Sequence, residues 1–193
     1  MLSYKESLKI LRETNALLEG HFILSSGLHS AQYVQCAQLL SKPSKASEIC
    51  NSLAKKISEE FKSIDLILSP AMGGIVIGYE IGRLLQKETI FSERVNGIFM
   101  LRRDFLIPRN SKVLIVEDVI TTGKSSLECA KLITKSNANV LGYACIIDRS
   151  NGKSSIKDKI VSQVKLDIPT FKKDNLPESL KSIKAVKPGS RDI

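Results

Sequence analysis

Tryptophan is absent from this chain of 193 residues, and aromatic residues make up only 5% of it. No aromatic side chains interleave the lysines, so the stacking platform on which proteins bind single-stranded nucleic acid is missing. The four cysteines include no CxxC pair, which favours reduced thiols in the core of a cytoplasmic protein. We therefore expect no nucleic-acid partner.

Long apolar runs are also missing. The longest apolar region, residues 64–82, is broken by Ser69, Pro70 and several glycines, so a membrane span is not expected. The first residues lack the order of basic, apolar and small residues that marks a signal peptide. With 42% hydrophobic and 25% charged residues, the sequence predicts one folded domain over residues 1–193, cytoplasmic and without a membrane partner.

Positive charge is in excess, with 29 Lys and Arg against 20 Asp and Glu and a net charge of +9. Such an excess fits nucleic acid, an anionic small substrate or a lysine-rich proteome. A polyanionic substrate accounts for the sign of the charge, which leaves nucleic acid as the weaker interpretation.

Residues 113–126 are the most informative segment. Four apolar residues run straight into Glu117 and Asp118, and a Thr-Thr-Gly-Lys-Ser turn then opens a helical pattern. A short apolar run bounded by turn residues is typical of a buried parallel strand. Small hydroxyl residues and Gly123 at a helix start offer backbone N–H groups to a phosphate. Two carboxylates beside such a turn suit sugar hydroxyls, so the segment predicts a ribose-5-phosphate site.

Two other interpretations of this segment are weaker. A Walker A loop requires glycine five residues before the Gly-Lys-Ser, where this chain has Asp118. A helix cap by Thr122 or Ser125 would explain the turn. It would leave two acids on an otherwise apolar strand without a role.

Strand and helix patterns alternate along the chain. Apolar spacing predicts helices over 4–19, 43–61, 74–85 and 124–136, strands over 64–68, 89–91, 113–116 and 140–147, short extended pieces at 21–24 and 33–36, and a hairpin strand at 98–101. This order predicts an α/β fold, an open and mostly parallel sheet flanked by helices. A small cap is expected from about residues 1–40 and the tail after Ile160. Ligands bind beyond the carboxyl ends of such strands, which places residues 69–74, 117–125 and 148–149 along one edge.

The turn at residues 69–74, Ser-Pro-Ala-Met-Gly-Gly, follows a predicted buried strand and opens a helix. Its glycines would let the backbone approach a diphosphate closely. Glycine kept for a tight, well-packed turn explains the motif equally well in isolation. Its position on the same edge as residues 117–125 favours the ligand.

The order of apolar run, Glu-Asp, apolar pair, Thr-Thr-Gly and serine resembles the phosphoribosyl-pyrophosphate (PRPP) motif of the type I phosphoribosyltransferases. Residues 22–30, followed by Tyr33 and Val34, are similar to the segment that covers the pyrimidine in the orotate phosphoribosyltransferases. The strand that ends at Asp148-Arg149 also resembles that family, whose matching arginine pairs with the orotate carboxylate. A planar guanidinium can bind a carboxylate through two bonds, which a lysine cannot. The alternative for Arg149 is a surface arginine at a strand end.

The chain departs from the better-known members at three places. They carry a lysine where this chain has Ser25, another where it has Gly73, and a Lys-Asp-His-Gly loop where it has residues 92–97 and 101–104. The arginines of this region are therefore expected to contact the diphosphate, Arg94 first and Arg102 or Arg103 for the remaining charge. In the family this loop reaches into the partner's site, which implies a homodimer with shared active sites.

The resemblance implies transfer of ribose 5-phosphate from PRPP to orotate, giving orotidine 5′-phosphate and pyrophosphate in de novo pyrimidine synthesis. Mg²⁺ would be held mainly through PRPP, without a set of protein ligands. The catalytic residues it implies are Glu117, Asp118 and Arg94; those binding PRPP are Met72, Gly73, Arg94, Arg102, Arg103, Glu117, Asp118, Val119, Ile120, Thr121, Thr122, Gly123, Lys124 and Ser125; those binding orotate are Ser25, Tyr33, Val34, Thr121 and Arg149.

Orotate already carries a nucleophilic ring nitrogen, so neither His21 nor His29 is needed as a strong base. We expect His21 to be a packed or capping residue and His29 to be part of the loop near the pyrimidine. Two alternatives stay open. A purine-specific phosphoribosyltransferase should lack the segment at residues 22–33. A non-catalytic regulator would bind PRPP and nucleic acid, using the net charge of +9.

Overall fold

The computed structural model describes residues 1–24 and 26–188. Its helices are α1 (Tyr4–Glu13), α2 (Cys36–Leu40), α3 (Pro43–Glu60), α4 (Gly73–Leu85), α5 (Lys124–Lys135) and α6 (Glu178–Lys181), with a 3₁₀ turn at Lys173–Asn175. Its strands are β1 (Leu17–Ile23), β2 (His29–Val34), β3 (Leu66–Pro70), β4 (Glu88–Val95), β5 (Ile98–Leu101), β6 (Lys112–Ile120), β7 (Asn139–Asp148), β8 (Ile160–Lys165) and β9 (Thr170–Phe171). None of the helices in these two ranges has the length and apolar character needed to cross a membrane.

The main sheet has six strands in the order β5-β4-β3-β6-β7-β8. All of its pairs are parallel except the hairpin of β4 and β5. Right-handed crossover helices are the usual way to join parallel neighbours, and here α4 and α5 lie between the strands they connect. The predicted open, mostly parallel α/β sheet is confirmed, and so is the hairpin at residues 98–101.

Two apolar layers cover the two faces of this sheet. On one face, α1, α3 and α4 pack on residues such as Leu114 and Val116; on the other, α5 packs on Val113 and Ile115. Successive side chains of a strand point to opposite faces, which is why neighbours on β6 belong to different layers. Both layers end where β3, β6 and β7 reach their carboxyl ends, at one common edge.

The first predicted helix was too long, because its last residues belong to strand β1. The Leu8, Leu11 and Leu18 spacing suggested a helix over residues 4–19, but α1 ends at Glu13. Thr14, which is buried, bonds its hydroxyl back to Ile10 O at 2.7 Å, and Asn15 has a left-handed φ of 60°. The chain turns there and Leu18 belongs to β1, so its helical spacing was a coincidence.

The tail after Ile160 was predicted to join the cap, and for its first part this is wrong. β8 pairs in parallel with β7 and extends the main sheet, because Val161 and Val164 bury against α1 and α3. Only β9 joins β1 and β2 in a separate three-stranded antiparallel sheet. β6 also runs four residues beyond the predicted end at Val116, through both acids to Ile120.

A buried histidine pair ties the three-stranded sheet to the C-terminal segment. His21 Nε2 lies 2.6 Å from His29 Nδ1, and His21 Nδ1 lies 2.9 Å from the carbonyl oxygen of Ile183. A carbonyl only accepts, so His21 donates from Nδ1 and accepts at Nε2 from His29. Backbone bonds between residues 21–23 and Val186 complete the join. His21 is therefore packed as expected, whereas His29, which was expected in a loop, is buried at the start of β2.

Candidate active site

The two acids of β6 point to opposite faces of the sheet. Glu117 follows Val113 and Ile115 on the face that α5 covers, and Asp118 lies on the face of α4. This follows from the strand continuing through both residues to Ile120. The acids were predicted as a pair at the strand's end, but each has its own surroundings.

Glu117 is held from the first turn of α5. The hydroxyl of Ser126 donates a short hydrogen bond to Glu117 Oε2. Burial raises the pKa of Glu117 to about 7, the Ser126 hydrogen bond opposes this rise, and the charge of Asp118 adds to it. A carboxyl group with such a pKa changes charge near neutral pH, which is common at functional sites.

Asp118 fills a space left by a glycine. Its Oδ1 accepts from the Val119 N–H at 2.9 Å, and burial raises its pKa while backbone hydrogen bonds lower it. A Cβ atom at Gly73, the first residue of α4, would lie 2.8 Å from Asp118 Oδ1. The turn at residues 69–74 therefore needs glycine here for the carboxylate to occupy its position.

The turn between β6 and α5 forms a small open cavity of about 160 Å³ beside Glu117, lined by Glu117, Val119, Thr121, Thr122, Gly123, Lys124 and Ser125. Gly123 has a left-handed φ of 78°, and a Cβ there would lie 2.7 Å from Ile156. Gly123 precedes α5 and has no side chain to cap it, but the Thr122 hydroxyl accepts a long hydrogen bond, 3.4 Å, from the N–H of Lys124, the first residue of α5. The capping interpretation therefore holds in part for Thr122, whereas the described residues include no such bond from Ser125.

Arg149 directly follows β7, next to the end of β6. Its backbone N–H donates to Ile120 O at 2.8 Å, which fixes it beside the acid-bearing strand. Its Nε is buried without a hydrogen-bond partner in the described part of the chain. Burial lowers the pKa of Arg149, and the nearby Tyr33 hydroxyl opposes that effect. The surface-arginine alternative does not fit a half-buried guanidinium with an unsatisfied donor.

The structure brings Tyr33 to Arg149 but not Val34. Tyr33 packs against Phe22, with ring centroids 5.7 Å apart, whereas Val34 points to the opposite side of β2 and is buried in the main core. Val34 thus stabilises the cap, and its side chain does not line the site with Tyr33. Ser25, the other residue predicted to contact the base, lies outside the described residues.

The loop arginines are all engaged by acids of their own chain. Arg94 donates to Glu128 of α5 and to Gly97 O, and its guanidinium lies 4.1 Å from the Phe99 ring centroid. Arg103 donates to Glu93, and Arg102 lies 3.4 Å from Glu93 Oε2. Arg94 is held by more contacts and is less exposed, at 38% against 59% and 58% for the other two.

Three functional candidates were missed from the sequence: Ser126, Glu93 and Glu128. Ser126 could have been found, because a residue in the first turn of a helix that follows a strand lies close to that strand's last side chains. Glu93 and Glu128 could not, since their pairing depends on where the hairpin and α5 meet. Met72, which is exposed at the start of α4, has no contact that assigns it a role.

Comparison with known proteins agrees with this geometry. The family model described as phosphoribosyl transferase domain matches residues 37–182. An orotate phosphoribosyltransferase of Parvibaculum lavamentivorans is 44% identical over 193 residues, 100% of both chains. One of Methylobacterium sp. is 48% identical over 185 residues, 95% of this chain and 94% of its own.

Solved structures share the fold. The orotate phosphoribosyltransferase of Aeropyrum pernix has a TM-score of 0.72 at 24% identity, over 82% of this chain and 92% of its own. The adenine phosphoribosyltransferase of Saccharomyces cerevisiae has a TM-score of 0.66 at 18% identity, over 81% and 99%. At these identities the two structures establish the fold and no more.

The family model covers most of the chain, so the protein is a phosphoribosyltransferase. Within that class the chain belongs to the orotate phosphoribosyltransferase family, with which it aligns over nearly its whole length.

The contact between Gly73 and Asp118 gives a first prediction. Gly73→Ala should displace the Asp118 carboxylate. If Asp118 binds the sugar, as predicted from the sequence, the change should weaken PRPP binding by roughly tenfold or more, because a charge-assisted hydrogen bond would be lost. Titration calorimetry with PRPP measures this effect. In an Asp118→Ala background the same change should cost little further affinity. Unchanged PRPP affinity of the Gly73→Ala protein would contradict the contact.

Proposed function

We propose that the chain transfers the ribose 5-phosphate group of PRPP to orotate at the edge formed by β3, β6 and β7, releasing pyrophosphate. The observation that carries this proposal is the buried, unsatisfied Nε of Arg149 beside Tyr33. A guanidinium with free donors next to an aromatic ring suits a flat, anionic base. Orotate has both features, whereas purines carry no carboxylate.

The remaining groups suit PRPP. The first amides of α5 and the hydroxyls of Thr121, Thr122 and Ser125 would bind the 5-phosphate. Asp118 and Glu117 would accept hydrogen bonds from the ribose hydroxyls, one from each side of β6. The turn at residues 69–74 would approach the diphosphate through its backbone. One ribose would thus be bound by two carboxylates that lie on opposite faces of β6.

Catalysis by these residues would be electrostatic. Departure of pyrophosphate leaves positive charge on the ribosyl carbon, next to the carboxylates of β6, and oriented charges in a closed site stabilise such a state. Orotate already carries its nucleophilic nitrogen, so Arg149 needs only to orient the ring. Mg²⁺ bound to the diphosphate would neutralise part of the leaving group's charge; magnesium commonly binds proteins through substrate phosphates in this way.

We also propose that the chain acts as a homodimer, through what we call the α4–β5 surface. It consists of the exposed side chains of Met72, directly before α4, of Val76 and Tyr79 on α4, and of Ile98 and Met100 on β5. Phe99 faces α5, so Ile98 and Met100 face the side of the sheet that α4 covers. Exposed apolar side chains grouped in this way are typical of protein interfaces.

Arg102 and Arg103 directly follow β5, and a partner bound at the α4–β5 surface would bring its site close to them. They share one acid, Glu93, and the Arg103 guanidinium also lies 5.6 Å from the Phe91 ring centroid, whereas Arg94 has three partners within its own chain. We therefore propose Arg102 and Arg103, rather than Arg94, as the residues that reach the partner's diphosphate. Four free, buried cysteines suit the reducing cytoplasm in which we place the enzyme.

The role of Arg149 is tested by its replacement with lysine. Arg149→Lys should raise KM for orotate by roughly tenfold or more and leave KM for PRPP nearly unchanged, because only the bidentate bond to the carboxylate is lost. Pyrophosphate release measures both constants, with Arg12→Lys as the control. An equal rise in both constants would show that Arg149 serves the phosphates or the fold. Turnover of adenine in place of orotate would overturn the base assignment.

Shared sites are tested with hybrid dimers. Arg102→Ala/Arg103→Ala protein and Asp118→Asn protein, each inactive, should regain activity when mixed, reaching about half of the wild-type value per hybrid dimer because one of its two sites has neither lesion. Arg94→Ala protein is the matched comparison: the contacts of Arg94 lie within its own chain, so any activity lost in this variant should not be rescued by the Asp118→Asn protein.

Subunit exchange is confirmed by mass spectrometry of differently labelled chains. If the Asp118→Asn protein rescues Arg94→Ala but not the Arg102→Ala/Arg103→Ala variant, then Arg94, and not Arg102 and Arg103, reaches the partner's diphosphate. With exchange confirmed, no rescue in either mixture would show that each subunit completes its own site.

A further inference from the structure

Ser126 joins the helix start to the acid strand. It is the third residue of α5, its exposed fraction is 0%, and its hydroxyl donates to Glu117 Oε2. The bond occupies one oxygen of the carboxylate, and it comes from the same helical turn whose first residues, Lys124 and Ser125, line the cavity beside Glu117. The position of Glu117 is thereby coupled to the position of the helix start.

Several groups surround the Glu117 carboxyl. Ser126 and Cys129 face it from α5, Cys145 pairs with it from β7, and Asp118 follows it on β6. Beyond Cys129 lie Glu128 and Arg94. Burial and the charge of Asp118 favour the protonated form of Glu117, and the Ser126 hydroxyl favours the ionised form.

The protonation state of Glu117 matters for its proposed role. An ionised carboxylate accepts strong hydrogen bonds from sugar hydroxyls, whereas a protonated one offers a proton and a weaker acceptor. Rotation of the side chain would also turn the acceptor away from the cavity beside the turn. A hydroxyl that donates to one oxygen opposes both changes.

We propose that Ser126 is a positioning residue for the transfer reaction, holding the Glu117 carboxylate as an ionised, oriented acceptor for a ribose hydroxyl of PRPP. This inference rests on the proposed function, because it assigns the ribose to Glu117. Ser126 itself touches neither substrate; its effect passes through Glu117.

The direction of the pH effect follows from the charges. The Ser126 bond lowers a pKa that burial has raised, so its removal moves the pKa of Glu117 further upward. The ionised form is then lost at a higher pH as the pH falls. The acid limb of kcat/KM for PRPP, which reports the free enzyme, should therefore move to higher pH in Ser126→Ala.

At pH 7 the Ser126→Ala enzyme should show a KM for PRPP raised by roughly tenfold, with a much smaller change in KM for orotate. Ser52→Ala is the matched control, because Ser52 is a buried helical serine whose hydroxyl accepts one hydrogen bond, from the Leu2 N–H, away from the site. Ser126→Thr keeps the hydroxyl and should restore the wild-type acid limb. An acid limb that does not move in Ser126→Ala would overturn the proposal.

A double-mutant cycle with Glu117→Gln separates positioning from a merely structural role. If Ser126 acts through Glu117, adding Ser126→Ala to Glu117→Gln should change KM for PRPP little. The full loss repeated in that background would overturn the proposal.

Carbon-13 titration of the Glu117 carboxyl gives a readout that does not depend on turnover. Its pKa should be higher in Ser126→Ala than in the wild-type protein and unchanged in Ser52→Ala. An unchanged pKa in Ser126→Ala would refute the coupling. A wild-type enzyme that releases no pyrophosphate with orotate would refute the proposed function instead.

Discussion

The site depends on one constraint: two carboxylates must be kept on the central strand of a parallel sheet whose faces are both covered. Burying a carboxylate is unfavourable unless hydrogen bonds compensate. β6 meets this constraint twice, in different ways. Glu117 receives the Ser126 hydroxyl from α5, and Asp118 receives a backbone N–H and the space left by Gly73. The first turn of α5 therefore carries the serine that Glu117 needs, and α4 begins with the glycine that Asp118 needs.

The edge also explains why the chain needs its cap. Parallel strands present ligand-binding groups at their carboxyl ends, but that end of a sheet is open to water on its outer side. The three-stranded sheet supplies Tyr33 there, and the bond from His29 through His21 to Ile183 O fixes that sheet to the C-terminal segment. Tyr33, which packs against Phe22, lies beside Arg149. Residues distant in sequence are thus brought together at the edge of the main sheet.

Prediction from the sequence succeeded where a pattern is local. The apolar run of β6, the turn after it and the periodicity of α3 predicted the sheet and its edge, whereas the PRPP-binding residues stay a prediction. It failed at Leu18, whose spacing from Leu8 and Leu11 fits a helix although the residue lies in β1. It also failed at β8, a strand that few apolar residues mark. The opposite orientation of Glu117 and Asp118 was predictable from strand alternation once β6 was known to continue to Ile120. The acid partners of the arginines were not, because they depend on tertiary packing between elements.

The loop arginines and Gly73 form one electrostatic arrangement. At position 73 the better-known relatives carry a lysine, whereas here the carboxylate of Asp118 occupies the space beside this residue. Positive charge for a diphosphate must then come from elsewhere, and Arg102 and Arg103 share the single charge of Glu93. Both guanidinium groups are more than half exposed, whereas the Glu93 side chain is only 19% exposed. Loss of the arginines would leave that carboxylate without a cation, which is unfavourable for a largely buried charge. In the proposed function a diphosphate, with more negative charge than one carboxylate, would have to draw Arg102 and Arg103 away from Glu93, which keeps them ordered before the substrate binds.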